Sequence, residues 1–153
     1  MLLDAHGRAV IQPHGIMYLA EQVDTCVAEC FQHKRSINRT RDEPWLVGFE
    51  TCASLDLLDM TGLWPTVAGA SMNINSGDRH IARAWSRVVY DAYIWTHGIW
   101  YGSSMYQNSG SIALYERGRH AIPATYGVHI ALADDALLGD LVRIADDINY
   151  KLI

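Results

Sequence analysis

The chain has 153 residues, half of them apolar and 19% charged, with a formal net charge of −5. That length suits one domain around one core, and the composition excludes intrinsic disorder, collagen-like sequence and a polytopic membrane protein. The acidic balance also argues against a general nucleic-acid binder, which is usually basic.

Two biases stand out. Arginine outnumbers lysine ten to two, and five of the fifteen aromatics are tryptophan. Guanidinium groups suit planar contacts to phosphate or carboxylate, and large aromatic rings suit stacking. The three cysteines (Cys26, Cys30, Cys52) form no spaced disulfide framework. Met1-Leu2-Leu3-Asp4 opens with neither a basic segment nor a long apolar run, so no secretory signal or membrane anchor is expected. The expectation is a cytoplasmic protein away from the membrane.

Gly15 to Ala20 is a short apolar run that predicts a buried strand. From Glu21 to His33, the positions Val23, Cys26, Val27, Cys30 and Phe31 recur at helical spacing. An acidic residue near its start, Glu21 or Asp24, suits the helix dipole. His33 to Pro44 is polar and basic and predicts an exposed loop. Trp45 to Thr51 reads as a strand, and the apolar Leu55 to Met60 runs into a Thr61-Gly62 turn.

Gly69 to Gly77 is small and polar and reads as a loop, with Ser76 or Asp78 as helix caps. Ile81, Ala84, Trp85, Val88 and Ala92 mark a helix of about four turns, closing by Gly98. Ile99 to Gly102, Ser111 to Tyr115 and Val128 to Leu132 are three further short strands. Leu137, Leu138, Leu141, Val142, Ile144, Ala145 and Ile148 have helical period. Strands and helices mix without regular alternation, which predicts an α+β fold.

Few motifs carry chemistry on their own. Cys26-x3-Cys30-x2-His33 has zinc-type ligands along one helix side, but two of them lie on the apolar stripe and no fourth ligand is evident. No metal is expected. The pairs Asp134-Asp135 and Asp146-Asp147 read as solvated faces. Arg79, Arg83 and Arg87, with His80, form a helical stripe that suits an acidic partner or, more simply, water. Tyr90, Tyr93, Trp95, Trp100, Tyr101 and Tyr106 crowd into seventeen residues, followed by Gln107, Asn108 and Ser109. Stacking surfaces beside small polar donors suit a planar ligand, although a core helix and strand account for many of the same rings.

The order of short motifs resembles the RES domain. Arg8, the run Gly15-Ile16-Met17-Tyr18-Leu19-Ala20 and the helix around Ala28 and Glu29 look like that family's opening arginine, its G-(apolar)2-Y-L-A strand and its glutamate helix. Gly98-Ile99-Trp100-Tyr101-Gly102-Ser103 and Ala113-Leu114-Tyr115-Glu116-Arg117 are similar to its later serine and A-L-F-(D/E)-R segments. The family takes its name from an Arg, a Glu and a Ser in this order. The aromatic that commonly follows the arginine is Ala9 here, and only seven residues precede Arg8. The chain is therefore expected to be a short member or to lack an N-terminal segment.

The resemblance implies a single domain over residues 1–153, with a mixed-sheet fold similar to ADP-ribosyltransferases. It implies the toxin of a type II toxin–antitoxin pair that breaks the nicotinamide–ribose bond of NAD⁺, used as substrate and without a metal. ADP-ribose would pass to a protein target, as in ParT-like toxins, or to phosphate or water, as in an NAD⁺ phosphorylase or glycohydrolase. A cognate antitoxin would cover the pocket, and no direct nucleic-acid contact is expected. Carried across by position, Arg8 would hold the pyrophosphate, Tyr18 would stack on nicotinamide, Glu29 would stabilise the oxocarbenium-like state and Ser103 would bond ribose or carboxamide. The competing expectation is a silent nucleotide- or partner-binding module that uses the aromatic–serine region and the arginine stripe; on a helical wheel Glu29 alone passes for a solvated glutamate.

Overall fold

The computed structural model describes residues 2–3, 9–10, 14–69 and 79–153, and for residues 2–3, 9–10 and 79–83 the backbone alone. Arg8 and the candidate caps Ser76 and Asp78 lie outside the described residues, as do the side chains of Arg79, His80 and Arg83.

The architecture is α+β. A four-stranded sheet runs in the order β3 (Ile16–Ala20), β8 (Gly110–Tyr115), β7 (Gly98–Gly102), β6 (Leu57–Asp59). The first two pairings are antiparallel and β6–β7 is parallel, so the sheet is mixed. Three two-stranded pairs complete the strands among the described residues: β1 (Leu2–Leu3) with β2 (Ala9–Val10), β5 (Trp45–Gly48) with β9 (Val128–Ala131), and β4 (Ser36–Ile37) with β10 (Lys151–Leu152). The helices among the described residues are α1 (Val23–Phe31), α2 (Trp64–Val67), α3 (Arg79–Ala92) and α4 (Leu138–Asp147). Glu116–Ala121 and Asp135–Leu137 form 3-10 turns.

Strand alternation sorts the side chains of the sheet. Ile16, Tyr18 and Ala20 share a face with Tyr115, Ala113 and Ser111 and with Ile99 and Tyr101. Ile99 and Tyr101 pack on a cluster of Leu58, Met60 and Val89, and the Tyr115 hydroxyl donates to the Ser86 carbonyl of α3 at 3.3 Å. A second cluster joins Val27 of α1 to Leu141, Ile144 and Ala145 of α4, with Ile37, Leu132 and Tyr150. Among the described residues, buried apolar side chains gather in these two clusters. At Gly98 an added Cβ would lie 2.5 Å from the Ala113 carbonyl oxygen, so the β7–β8 approach requires glycine there.

Several expectations are corrected. β3 is an edge strand with Ile16, Met17 and Tyr18 exposed, rather than a buried one. The predicted stripe of α1 is displaced: Thr25, Val27 and Ala28 are buried, while Val23 and Cys30 are exposed. The helix is gripped from two sides, so no single 3.6-residue stripe describes it. The basic loop after His33 hides the fully buried Ile37, because β10 returns to pair with it. On α3 the inward position is Val89 rather than the exposed Val88, since Tyr90 and Tyr93 also pack inward and roll the helix.

Ile144 is fully buried between α1 and α4, whereas Val142 on the same helix is exposed. Ile144→Ala is expected to cost about 3 kcal/mol in urea unfolding, and Val142→Ala less than about 0.5 kcal/mol.

Candidate active site

Strand β7 ends at Gly102, and the chain turns through 103–109 before β8 begins. The turn closes on itself: the Ser103 amide donates to the Ser109 carbonyl at 2.8 Å, and the Ser109 amide to the Tyr106 carbonyl at 2.8 Å. Gln107 and Asn108 take left-handed backbone conformations, φ 46° and 55°, which amide side chains tolerate better than branched ones. Met105 packs on the α1–α4 cluster and fixes the depth of the turn.

This turn delivers Ser103 to α1. The Ser103 Oγ donates to Glu29 Oε1 at 2.5 Å, and Ser103 is fully buried. The same Oγ accepts from the Met105 amide at 3.1 Å. With that lone pair occupied, the single hydroxyl proton is aimed at the carboxylate. The other oxygen, Glu29 Oε2, accepts from Gln32 Nε2 at 3.0 Å, and Gln32 also donates to the Glu29 carbonyl at 2.9 Å. Both carboxylate oxygens are therefore held, which fixes the plane of the group.

Tyr101 and Tyr18 flank the pair. They share one sheet face, and Tyr18 is 68% exposed. Burial, with Glu29 and then Tyr18 nearby, pushes the Tyr101 hydroxyl up to about 12, so at neutral pH it stays a protonated donor. Beside the turn a cleft of about 470 Å³ is lined by Arg35, Ser104, Tyr106, Gln107 and Tyr150 among others.

Three of the four candidate residues are described, and two of them, Glu29 and Ser103, touch across 74 positions of chain. Tyr18 projects from the adjoining sheet. Gln32 and the loop anchors were not foreseen. Gln32 lies three residues after Glu29 on the same helix, the spacing of side-chain neighbours, and that signal was available in the sequence.

The other marked motifs serve the framework. Arg117 lays its guanidinium 4.1 Å from the Tyr90 ring centre and donates to the Tyr90 and Ile94 carbonyls, capping the end of α3. Glu116 receives the Tyr90 hydroxyl and lies 3.0 Å from His14 Nδ1. Burial alone would raise its carboxyl, but those two bonds bring it below the usual range. Cys26 is half-buried and Cys30 and His33 are exposed. No three His, Cys, Asp or Glu side chains gather as a metal site among the described residues.

A match to the model of the RES domain covers residues 3–135. The chain belongs to the RES-domain family. Comparison with curated proteins and with solved structures finds no match in either. No helix of this RES-domain chain, among the described residues, is long and apolar enough to cross a membrane.

Asp24, in the first turn of α1, accepts from Arg143 Nη1 at 2.7 Å and from the Tyr106 hydroxyl at 3.3 Å. The Arg143 bond holds the Asp24 carboxyl below its ordinary value. A depressed folded-state pKa adds stability that is complete above the unfolded value near 4 and is lost as pH falls through the folded one. The stability gap between wild type and Asp24→Asn is expected to be widest above about pH 4 and to close below it. Urea melts of both proteins at pH 6 and at successively lower pH measure that gap.

Proposed function

We propose that this RES-domain chain is the toxin of a type II toxin–antitoxin pair and that it breaks the nicotinamide–ribose bond of NAD⁺ in the cytoplasm. The observation that supports this reading best is the Ser103–Glu29 hydrogen bond. It joins two of the three residue types that name the family, and it gives Glu29 a fixed place at the end of a sheet face carrying two tyrosines.

Nicotinamide leaves with the electron pair of the broken C1″–N bond, and positive charge develops at the ribose C1″ and ring oxygen. A carboxylate held in a fixed plane stabilises that charge or anchors a ribose hydroxyl, and it need not reorganise as the reaction proceeds. Glu29 fills this role. Ser103 donates to Glu29 and keeps its carboxylate in place; a bond from Ser103 to a ribose or carboxamide oxygen is what the family resemblance implies. Tyr18 offers an exposed ring on which nicotinamide can stack, and the Tyr101 hydroxyl is a neutral donor beside it. Arg8 is assigned to the diphosphate through its paired guanidinium donors.

The acceptor of ADP-ribose is a protein side chain, phosphate or water. An antitoxin that covers the open Tyr18 face would silence the enzyme by excluding NAD⁺.

Incubation of the purified protein with NAD⁺, with and without phosphate or cell lysate, is expected to release nicotinamide, resolved by chromatography. Glu29→Gln should slow release by about 10²-fold or more, the scale of losing a preorganised charge-stabilising group. Wild-type protein that returns NAD⁺ intact under every condition, while being thermally stabilised by it, would instead mark a binding module. The product, whether free ADP-ribose, its 1″-phosphate or a labelled protein, identifies the acceptor.

A further inference from the structure

We propose that Arg143 and Tyr106, acting through Asp24, are positioning residues that set the register of the 103–109 turn along α1 and hence the contact of Ser103 with Glu29. This inference rests on the reading of Glu29 and Ser103 as the reactive pair.

The turn meets α1 at two points. Ser103 Oγ reaches Glu29 at 2.5 Å, and three residues on, the Tyr106 hydroxyl reaches Asp24 at 3.3 Å. Asp24 and Glu29 are five residues apart, about 7.5 Å along the helix axis. Two contacts so spaced define the orientation of the turn, whereas either alone leaves it free to pivot on Met105. Asp24 makes a firm second point because its Oδ1 also takes the Arg143 guanidinium at 2.7 Å. Arg143 is steadied in turn by Asp147, one helical turn further along α4, at 3.2 Å.

A simpler role for the ion pair would be to clamp α4 onto α1. The packing makes that unnecessary. Leu141, Ile144 and Ala145 already bury α4 against Val27, and the Tyr150 hydroxyl donates to the Ala28 carbonyl at 3.3 Å. The element left dependent on Asp24 is the turn.

The test uses Tyr106→Phe, which deletes one oxygen, Arg143→Met, which deletes the charge, and Arg143→Lys, which keeps it. Nicotinamide release from NAD⁺ is followed at steady state, and backbone hydrogen exchange is compared over residues 103–109 and 138–147. Tyr106→Phe and Arg143→Met are expected to lower kcat about tenfold with KM within about twofold of wild type, as for a displaced reacting group. Arg143→Lys should recover most of the loss. Exchange should quicken across 103–109 and stay unchanged across 138–147. Wild-type kcat in both variants, or faster exchange across 138–147 instead, overturns the proposal. If the wild-type protein turns over no NAD⁺, the functional reading fails by itself. The exchange comparison then still decides the loop: quickening confined to 103–109 supports its anchoring by Asp24, and no change in 103–109 refutes it.

Discussion

The Ser103 hydroxyl has one proton to donate and accepts from the amide of Met105 on one lone pair; because a carboxylate can only accept, the proton points at Glu29. Much of the fold serves that placement. β7 and β8 must approach closely enough to leave no room for a side chain at Gly98. The chain must then turn back within seven residues, using two left-handed positions, Gln107 and Asn108. α1 must present Glu29 while burying Thr25 and Ala28 on one side and Val27 on another. A buried hydroxyl with a charged acceptor at this distance is among the stronger hydrogen bonds available to a protein, and it closes a long loop of chain.

Much of the secondary structure was legible from residue pattern. The strands at Ile16, Trp45, Gly98, Gly110 and Val128 and the three longer helices appear close to their expected bounds. What pattern alone misplaced was orientation. Helix α1 is clasped on two faces, so its burial does not follow one stripe, and α3 is rolled by the tyrosines that would otherwise be counted toward a ligand. β4 and β10 are two-residue pairs 115 positions apart, and no local signal announces such a pairing. Glu29 is the sharpest case. Periodicity places it outside the apolar stripe, where it reads as solvated. Gln32 on the same helix bonds one oxygen, but the partner of the other, Ser103, arrives from a distant segment, which no local pattern announces.

The surplus of arginine has a structural use beyond anion binding. Arg39 donates to the carbonyls of Leu132, Ala133 and Asp134 and reaches the Asp135 carboxylate. Arg117 captures two carbonyls at the end of α3 while stacking on tyrosines. Arg39 thus gathers the backbone that follows β9, and Arg117 the end of α3. A planar group with five donors can collect several carbonyls at once, which a lysine ammonium on a flexible stem does less well. In a chain with short strands and long connections, such ties replace part of the ladder bonding that a larger sheet would provide.

The same economy explains where the Ser103–Glu29 pair sits. Tyr101 packs with the Leu58–Met60–Val89 cluster, and Met105 with the Val27–Ile144 cluster. The five residues from Tyr101 to Met105 therefore span both, with Ser103 at their centre. Glu29 of α1 meets Ser103 at that bridge. Packed clusters resist deformation internally, while the junction between them is the place where a small relative movement is cheapest. The segment from Tyr101 to Met105 therefore ties the position of Ser103, and with it the Ser103–Glu29 bond, to the packing of both clusters at once.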